Sequence, residues 1–240
     1  MKAIISIWIW IGSVLLTILL FFVVLVLTIL LFPFDKKKKF THAQCFWWSD
    51  AVIGLNPFWG VKVRGLENID PKKTYVIIAN HQSMADIVVL YQIKSQFKWV
   101  AKASLFDVPF IGWCLTLIKH IKLNRGDFAS IKEIYHQASE WLRRDMSVLF
   151  FPEGTRSLDG RMGEFQNGAF KLAINEKKPI LPICIQGAQE AIPKGSWIFK
   201  SKVAVSVSVL PEIATDTLGP GEFSWLRDVV RSKISEAQLL

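Results

Sequence analysis

Residues 3–34 run for 32 positions without a charged side chain. As a helix rising 1.5 Å per residue this run is about 48 Å long, against about 30 Å for the hydrocarbon core of a bilayer. It is long enough to cross once and too short to cross twice, so the pattern predicts one tilted or overhanging transmembrane helix. No small-x-small site precedes Asp35, and Gln44 stands before Cys45, so neither signal cleavage nor lipoprotein processing is expected. Beyond the run, short stretches rich in Val, Ile and Phe read as strands at 60–64, 75–79, 99–102, 121–123, 148–151, 180–185 and 203–209. Helical spacing lies between them. At 130–143, Ile131, Ile134, Tyr135, Ala138, Trp141 and Leu142 mark one helix face, with Ser130 and Glu133 placed for a capping box. At 223–237, Leu226, Val230 and Ile234 recur every four residues. Alternating strands and helices predict an α/β fold, a mixed, largely parallel sheet flanked by helices behind an N-terminal transmembrane helix.

The division expected is an anchor with its basic flank at 1–39, an interfacial aromatic helix at 40–59 and one domain at 60–240. Phe46, Trp47, Trp48, Phe58 and Trp59 suit a headgroup layer, where an apolar ring and a polar N–H are both satisfied. The chain holds 29 Lys or Arg against 20 Asp or Glu, and five of those lysines with one aspartate fall in residues 1–40. Lys2 stands alone at one end of the apolar run and Lys36–Lys39 crowd the other, which places the larger part on the cytoplasmic side of the cell membrane. The remaining excess of five positive charges is dispersed. It fits an anionic membrane surface and excludes the basic stripe of a nucleic-acid groove. Cys45, Cys114 and Cys184 are odd in number and far apart, so a reducing compartment and no disulfide framework are expected, and no zinc-type spacing occurs.

Two polar segments carry candidate chemistry. The apolar run ending at Ala79 leads into Asn80-His81-Gln82-Ser83-Met84-Ala85-Asp86. Five residues on one helix would turn about 500°, leaving His81 and Asp86 about 140° apart, so the two meet only if His81 lies in a turn and Asp86 in the first helical turn. There the carboxylate accepts Nδ1–H and frees Nε2 as a base. Such a pair is the base and orienter of a hydrolytic triad whose nucleophile can be a substrate hydroxyl. The second segment is Phe151-Pro152-Glu153-Gly154-Thr155-Arg156-Ser157, a turn with φ fixed at Pro152, close backbone approach allowed at Gly154, and the planar donor fork of Arg156.

With N-H-Q-x-x-x-D at 80–86 and F-P-E-G-T-R-S at 151–157, the chain resembles the 1-acyl-sn-glycerol-3-phosphate acyltransferases over residues 60–210. Two weaker blocks agree: Ile121-Lys122-Leu123-Asn124-Arg125 and Leu181-Pro182-Ile183, with Lys102, Pro109 and Gly112 also in place. Asn124 stands where the family commonly has Asp, and Gln166-Asn167 replace a frequently basic pair, making the acceptor surround less cationic.

The resemblance implies the glycerolipid acyltransferase fold and transfer of an acyl group from an acyl carrier protein or coenzyme A thioester to the sn-2 hydroxyl of lysophosphatidic acid, a membrane lipid. No cofactor or metal is implied. His81 and Asp86 are then catalytic, and Arg125 and Arg156 grip the phosphate. Glu153 orients the glycerol hydroxyl, and Gly154, Thr155 and Lys102 complete the substrate-binding set. Another lysolipid acceptor competes within the family. From another reaction class, a membrane-tethered thioesterase or lipase would use the same pair on water or on Ser83, although no G-x-S-x-G elbow surrounds that serine.

Overall fold

The computed structural model of the chain describes residues 2–124, 128–156, 162–192 and 195–239. Arg125 and Ser157, singled out above, lie outside the described residues. All seven expected strands form: β1 (Trp59–Arg64), β2 (Val76–Ala79), β3 (Phe97–Lys102), β4 (Ile121–Leu123), β5 (Ser147–Phe150), β6 (Ile180–Gln186) and β7 (Val203–Val209). They make one sheet in the order β1-β7-β6-β2-β5-β3-β4. Neighbours are parallel except β6 and β7, so β1 and β7 run against the other five.

Residues of β2 and β5 are buried on both faces, which is why both read as unbroken apolar runs rather than alternating ones. One face presents Ile77, Ala79, Trp99, Leu149 and Ile183 to α1 (Lys2–Leu30), α2 (Lys39–Gly54), α3 (Ala85–Leu90) and α5 (Ile111–Leu117). The other presents Val76, Ile78, Val148 and Ile180 to α6 (Phe128–Arg143), α7 (Gly168–Asn175) and α9 (Phe223–Ala237). The short helices α4 (Ala103–Phe106) and α8 (Ala188–Ala191) join elements at the sheet margin. The stripe of Leu226, Val230 and Ile234 is fully buried. Each contributes about 1.5–3 kcal/mol of apolar burial. Helix α6 starts two residues before the expected position. The Ser130 hydroxyl therefore sits inside the helix and accepts the Asn124 N–H at 3.1 Å instead of capping.

Helix α1 is long and apolar enough to cross a membrane. It also packs along the domain. Near its start the Ser6 hydroxyl accepts the Phe199 N–H and Trp10 Nε1 donates to Trp197 O. Midway, Trp48 Nε1 donates to the Thr17 hydroxyl. Further on, Phe21 packs against Phe110 and Trp113, and Val24 is fully buried. The opposite stripe, including Ile7, Ile11, Leu15, Leu19 and Phe22, is exposed.

The aromatic stretch begins as a helix packed on the domain. Helix α2 turns Thr41, His42, Cys45, Ser49 and Val52 into the core, and this draws Phe46, Trp47 and Trp48 partly inward. Phe40 and Phe58 are the exposed rings there. Lys38, counted above with the basic flank, is buried, while Asp35 Oδ2 accepts the Thr41 N–H and hydroxyl at the start of α2. All three cysteines are buried and free.

Lys98 ties the α1–α2 connection to the sheet. Its fully buried ammonium donates to Ile118 O at 2.7 Å and Lys37 O at 3.1 Å and lies 4.7 Å over the Trp141 ring. Burial pulls its pKa from 10.5 down to about 7, against the attraction of Asp35. A base with a lowered folded-state pKa leaves the unfolded chain holding more protons between the two values. Stability then rises with pH from about 7 to about 10.5. Lys98→Met is expected to remove that rise, and the difference between wild-type and variant melting temperatures across this window measures it. Parallel curves would mean that the buried amine is not the titrating group.

Candidate active site

Parallel pairing of β2 with β5 and β6 brings the ends of these strands, and the loops that follow, to one edge of the sheet. Asn80 extends the pairing after β2 ends: its Nδ2 donates to Ile185 O at 2.8 Å and its Oδ1 accepts the Ile185 N–H at 2.7 Å. The chain then turns through residues 81–84 into α3, with Asp86 in the first helical turn. The fully buried Asp86 carboxylate uses Oδ2 to accept the backbone N–H groups of Gln82 at 2.6 Å and Ser83 at 2.8 Å. The same oxygen lies 2.7 Å from His81 Nδ1. A carboxylate only accepts, so Nδ1 carries the proton and Nε2 presents its lone pair. Nε2 has no protein partner among the described residues, and the His81 side chain, 16% exposed, borders a cavity. The sequence condition for their meeting is satisfied as stated.

The loop after β5 closes on this turn. Glu153 Oε1 accepts the His81 backbone N–H at 2.7 Å and its Oε2 accepts Gly163 N–H at 2.8 Å. Burial pushes the Glu153 carboxyl up, while the N–H donors of Gly163 and His81 hold it down. Glu153 does not border the cavity; each of its oxygens accepts a backbone N–H, and the residue clamps two loops together. Gly154 has φ +69°, and a Cβ there would meet nothing within 4 Å. Its left-handed backbone, rather than crowding by protein, calls for glycine.

The cavity is about 1200 Å³. His81, Gly154, Thr155, Arg156 and Lys102 border it together, as does Lys171 on α7. Apolar walls come from Leu20, Val52, Val88, Cys114 and Ile118 among others. Sequence reasoning missed Lys171, although the neutral pair Gln166-Asn167 stands close before it in the chain. It also missed the Phe151 ring, stacked on the His81 imidazole at 4.0 Å and 13°. Ser83, the rival nucleophile, is buried, donates toward Ile192 O and does not border the cavity. His42 is buried away from the cavity, whereas the buried His120 borders it; burial chiefly holds His42 down to about 3 and lowers His120.

Fold and site define an α/β domain that carries a His–Asp pair, able chemically to take a proton from a hydroxyl, at the carboxyl edge of the parallel part of its sheet. A family model described as Acyltransferase matches residues 60–186. A chloroplastic 1-acyl-sn-glycerol-3-phosphate acyltransferase from Brassica napus is 37% identical over 165 residues, 68% of this chain and 47% of that protein. A 1-acyl-sn-glycerol-3-phosphate acyltransferase from Pseudomonas aeruginosa is 34% identical over 209 residues, 85% of this chain and 79% of that one. The chain spans about half the length of the plant relatives it matches. The crystal structure of the 1-acyl-sn-glycerophosphate acyltransferase PlsC from Thermotoga maritima superposes with a TM-score of 0.84, covering 99% of this chain and 95% of that one at 22% identity, a likeness of fold. The chain belongs to the 1-acyl-sn-glycerol-3-phosphate acyltransferase family.

The clamp has a measurable consequence. Glu153→Gln can accept only one of the two N–H groups and sets an NH₂ against the other, at a cost of about 1–3 kcal/mol. A lower melting temperature with reduced turnover is expected; unchanged values of both would show that the carboxylate is dispensable.

Proposed function

We propose that the protein transfers a fatty acyl group from an acyl thioester to the sn-2 hydroxyl of 1-acyl-sn-glycerol-3-phosphate, giving phosphatidic acid. The observation that carries this reading is the His81–Asp86 pair, its free Nε2 turned to a large, mainly apolar cavity that the Ser83 hydroxyl does not reach. Nε2 takes the proton of the acceptor hydroxyl as its oxygen bonds to the thioester carbonyl carbon. The tetrahedral intermediate then collapses, the C–S bond breaks, and the imidazolium returns its proton to the leaving thiolate. Asp86 keeps the ring in the required tautomer and stabilises its charge. Arg156 and Lys102 offer donors to the acceptor phosphate, with Arg125 as the sequence proposes, and Gly154 leaves open space beside them. The names of the Brassica and Pseudomonas relatives support this acceptor.

The test is product analysis in mixed micelles with lysophosphatidic acid and either acyl carrier protein or coenzyme A thioesters. Diacyl product is expected, and free fatty acid alone would mean a hydrolase. His81→Ala should lower the rate about 10²- to 10⁴-fold, while near-normal turnover would remove His81 from the chemistry.

We also propose that α1 lies within one leaflet, with the domain on the cytoplasmic side of the cell membrane, in place of the single crossing expected from its length. The support is that the domain touches α1 from Ser6 to Val24, about 27 Å of helix. A crossing helix would carry that much of the domain's polar surface into hydrocarbon. The exposed stripe instead meets lipid sideways. Single cysteines placed at Lys2 and at Lys36 are expected to react with an impermeant maleimide from the same, cytoplasmic face; labelling from opposite faces would restore the crossing.

A further inference from the structure

Register alone puts an aromatic row beside the candidate base. Ile78 pairs with Phe150 and Trp99 with Leu149, so Phe151 falls beside Ala79, and His81 follows two residues later on the same face. The His81 ring stacks on Phe151 at 4.0 Å and 13°, and Phe151 stacks on Trp99 at 5.6 Å and 29°. Trp99 is itself held, its Nε1 donating to the Tyr91 hydroxyl at 2.7 Å and its backbone N–H to His120 Nδ1 at 3.0 Å. Trp99 and Tyr91 are both buried.

We infer that Phe151, backed by Trp99 and Tyr91, is a positioning residue that fixes the plane of the His81 imidazole for proton transfer. Asp86 holds Nδ1 but leaves the ring free to rock about that hydrogen bond. A flat surface against one face removes this remaining freedom and keeps Nε2 aimed at one point in the cavity. The ring face also carries the negative end of the aromatic quadrupole, so it favours the imidazolium formed as the proton arrives. A branched aliphatic side chain fills similar space and supplies neither property. The inference rests on the reading of His81 as base and adds a residue to it.

The test compares Phe151→Leu, Phe151→Met and Phe151→Tyr with His81→Ala, in detergent with saturating acyl donor. Loss of ring alignment should lower kcat about 10- to 100-fold in the Leu and Met variants, with acceptor KM little changed, and Tyr should restore most of it. Met keeps the apolar volume and decides the matter if the Leu variant does not fold. A second readout needs no Phe151 variant: in protein labelled at histidine Cε1, the resonance lost in His81→Ala should be shifted upfield by the stacked ring. Wild-type kcat in the Leu or Met variant, equal losses for Met and Tyr, or an unshifted His81 resonance overturns the proposal. If His81→Ala stays active, the base reading itself fails, whatever the Phe151 variants do.

Discussion

Asp86 Oδ2 is the point on which the site converges. A carboxylate removed from water loses several kcal/mol of hydration unless donors replace it; here two backbone N–H groups and the His81 ring do so at Oδ2, while the buried Oδ1 has no partner among the described residues. The same three contacts shape the turn, set the histidine tautomer and place the ring at the start of α3. Geometry and charge are therefore one interaction. Replacing the carboxylate would remove the turn's acceptor as well as the ring's partner, so loss of activity there cannot be assigned to electrostatics alone. The second carboxylate, Glu153, does for the meeting of the two loops what Asp86 does within one of them.

The sheet makes this arrangement reproducible. Parallel strands deliver their ends to the same edge, and β2 with β5 as direct neighbours puts the His81 turn beside the loop after β5. Asn80 carries the pairing of β2 with β6 past the strand end, so the turn begins from a fixed point. Pro152 cannot donate to a further rung, and the chain leaves the ladder at Phe151.

Much of this was legible because most strands are short and rich in Val, Ile or Phe, and the His81–Asp86 spacing admits one meeting geometry. The stripe at Leu226, Val230 and Ile234 was equally plain. Helix α5 was not, since Ile111–Leu117 is apolar on several sides and lacks a clear period. Phe46, Trp47 and Trp48 were ambiguous for a related reason: an amphipathic ring satisfies a headgroup layer and a half-buried helix face equally well. The role of Glu153 was hidden because its partners are backbone N–H groups, which no side-chain pattern records. Hydropathy read the length of α1 correctly but contains no information on what lies along its side.

Cavity and rim divide the work by polarity. Walls from α1, α2, α3 and α5 are apolar, and the cations Lys102, Arg156 and Lys171 belong to β3, to the loop after β5 and to α7. His81 shares the cavity with both. On the proposed reading, an acceptor with hydrocarbon at one end and phosphate at the other satisfies both while the segment between them meets Nε2, and in a lysophosphatidic acid that segment is glycerol with its free hydroxyl. On that reading, charge and apolar surface set the register of the substrate as strand pairing sets that of the chain. Neither end then needs contact with the reacting atoms to decide which hydroxyl reacts, and the imidazole rigidity inferred above would be useful because such a substrate arrives with little positional choice of its own.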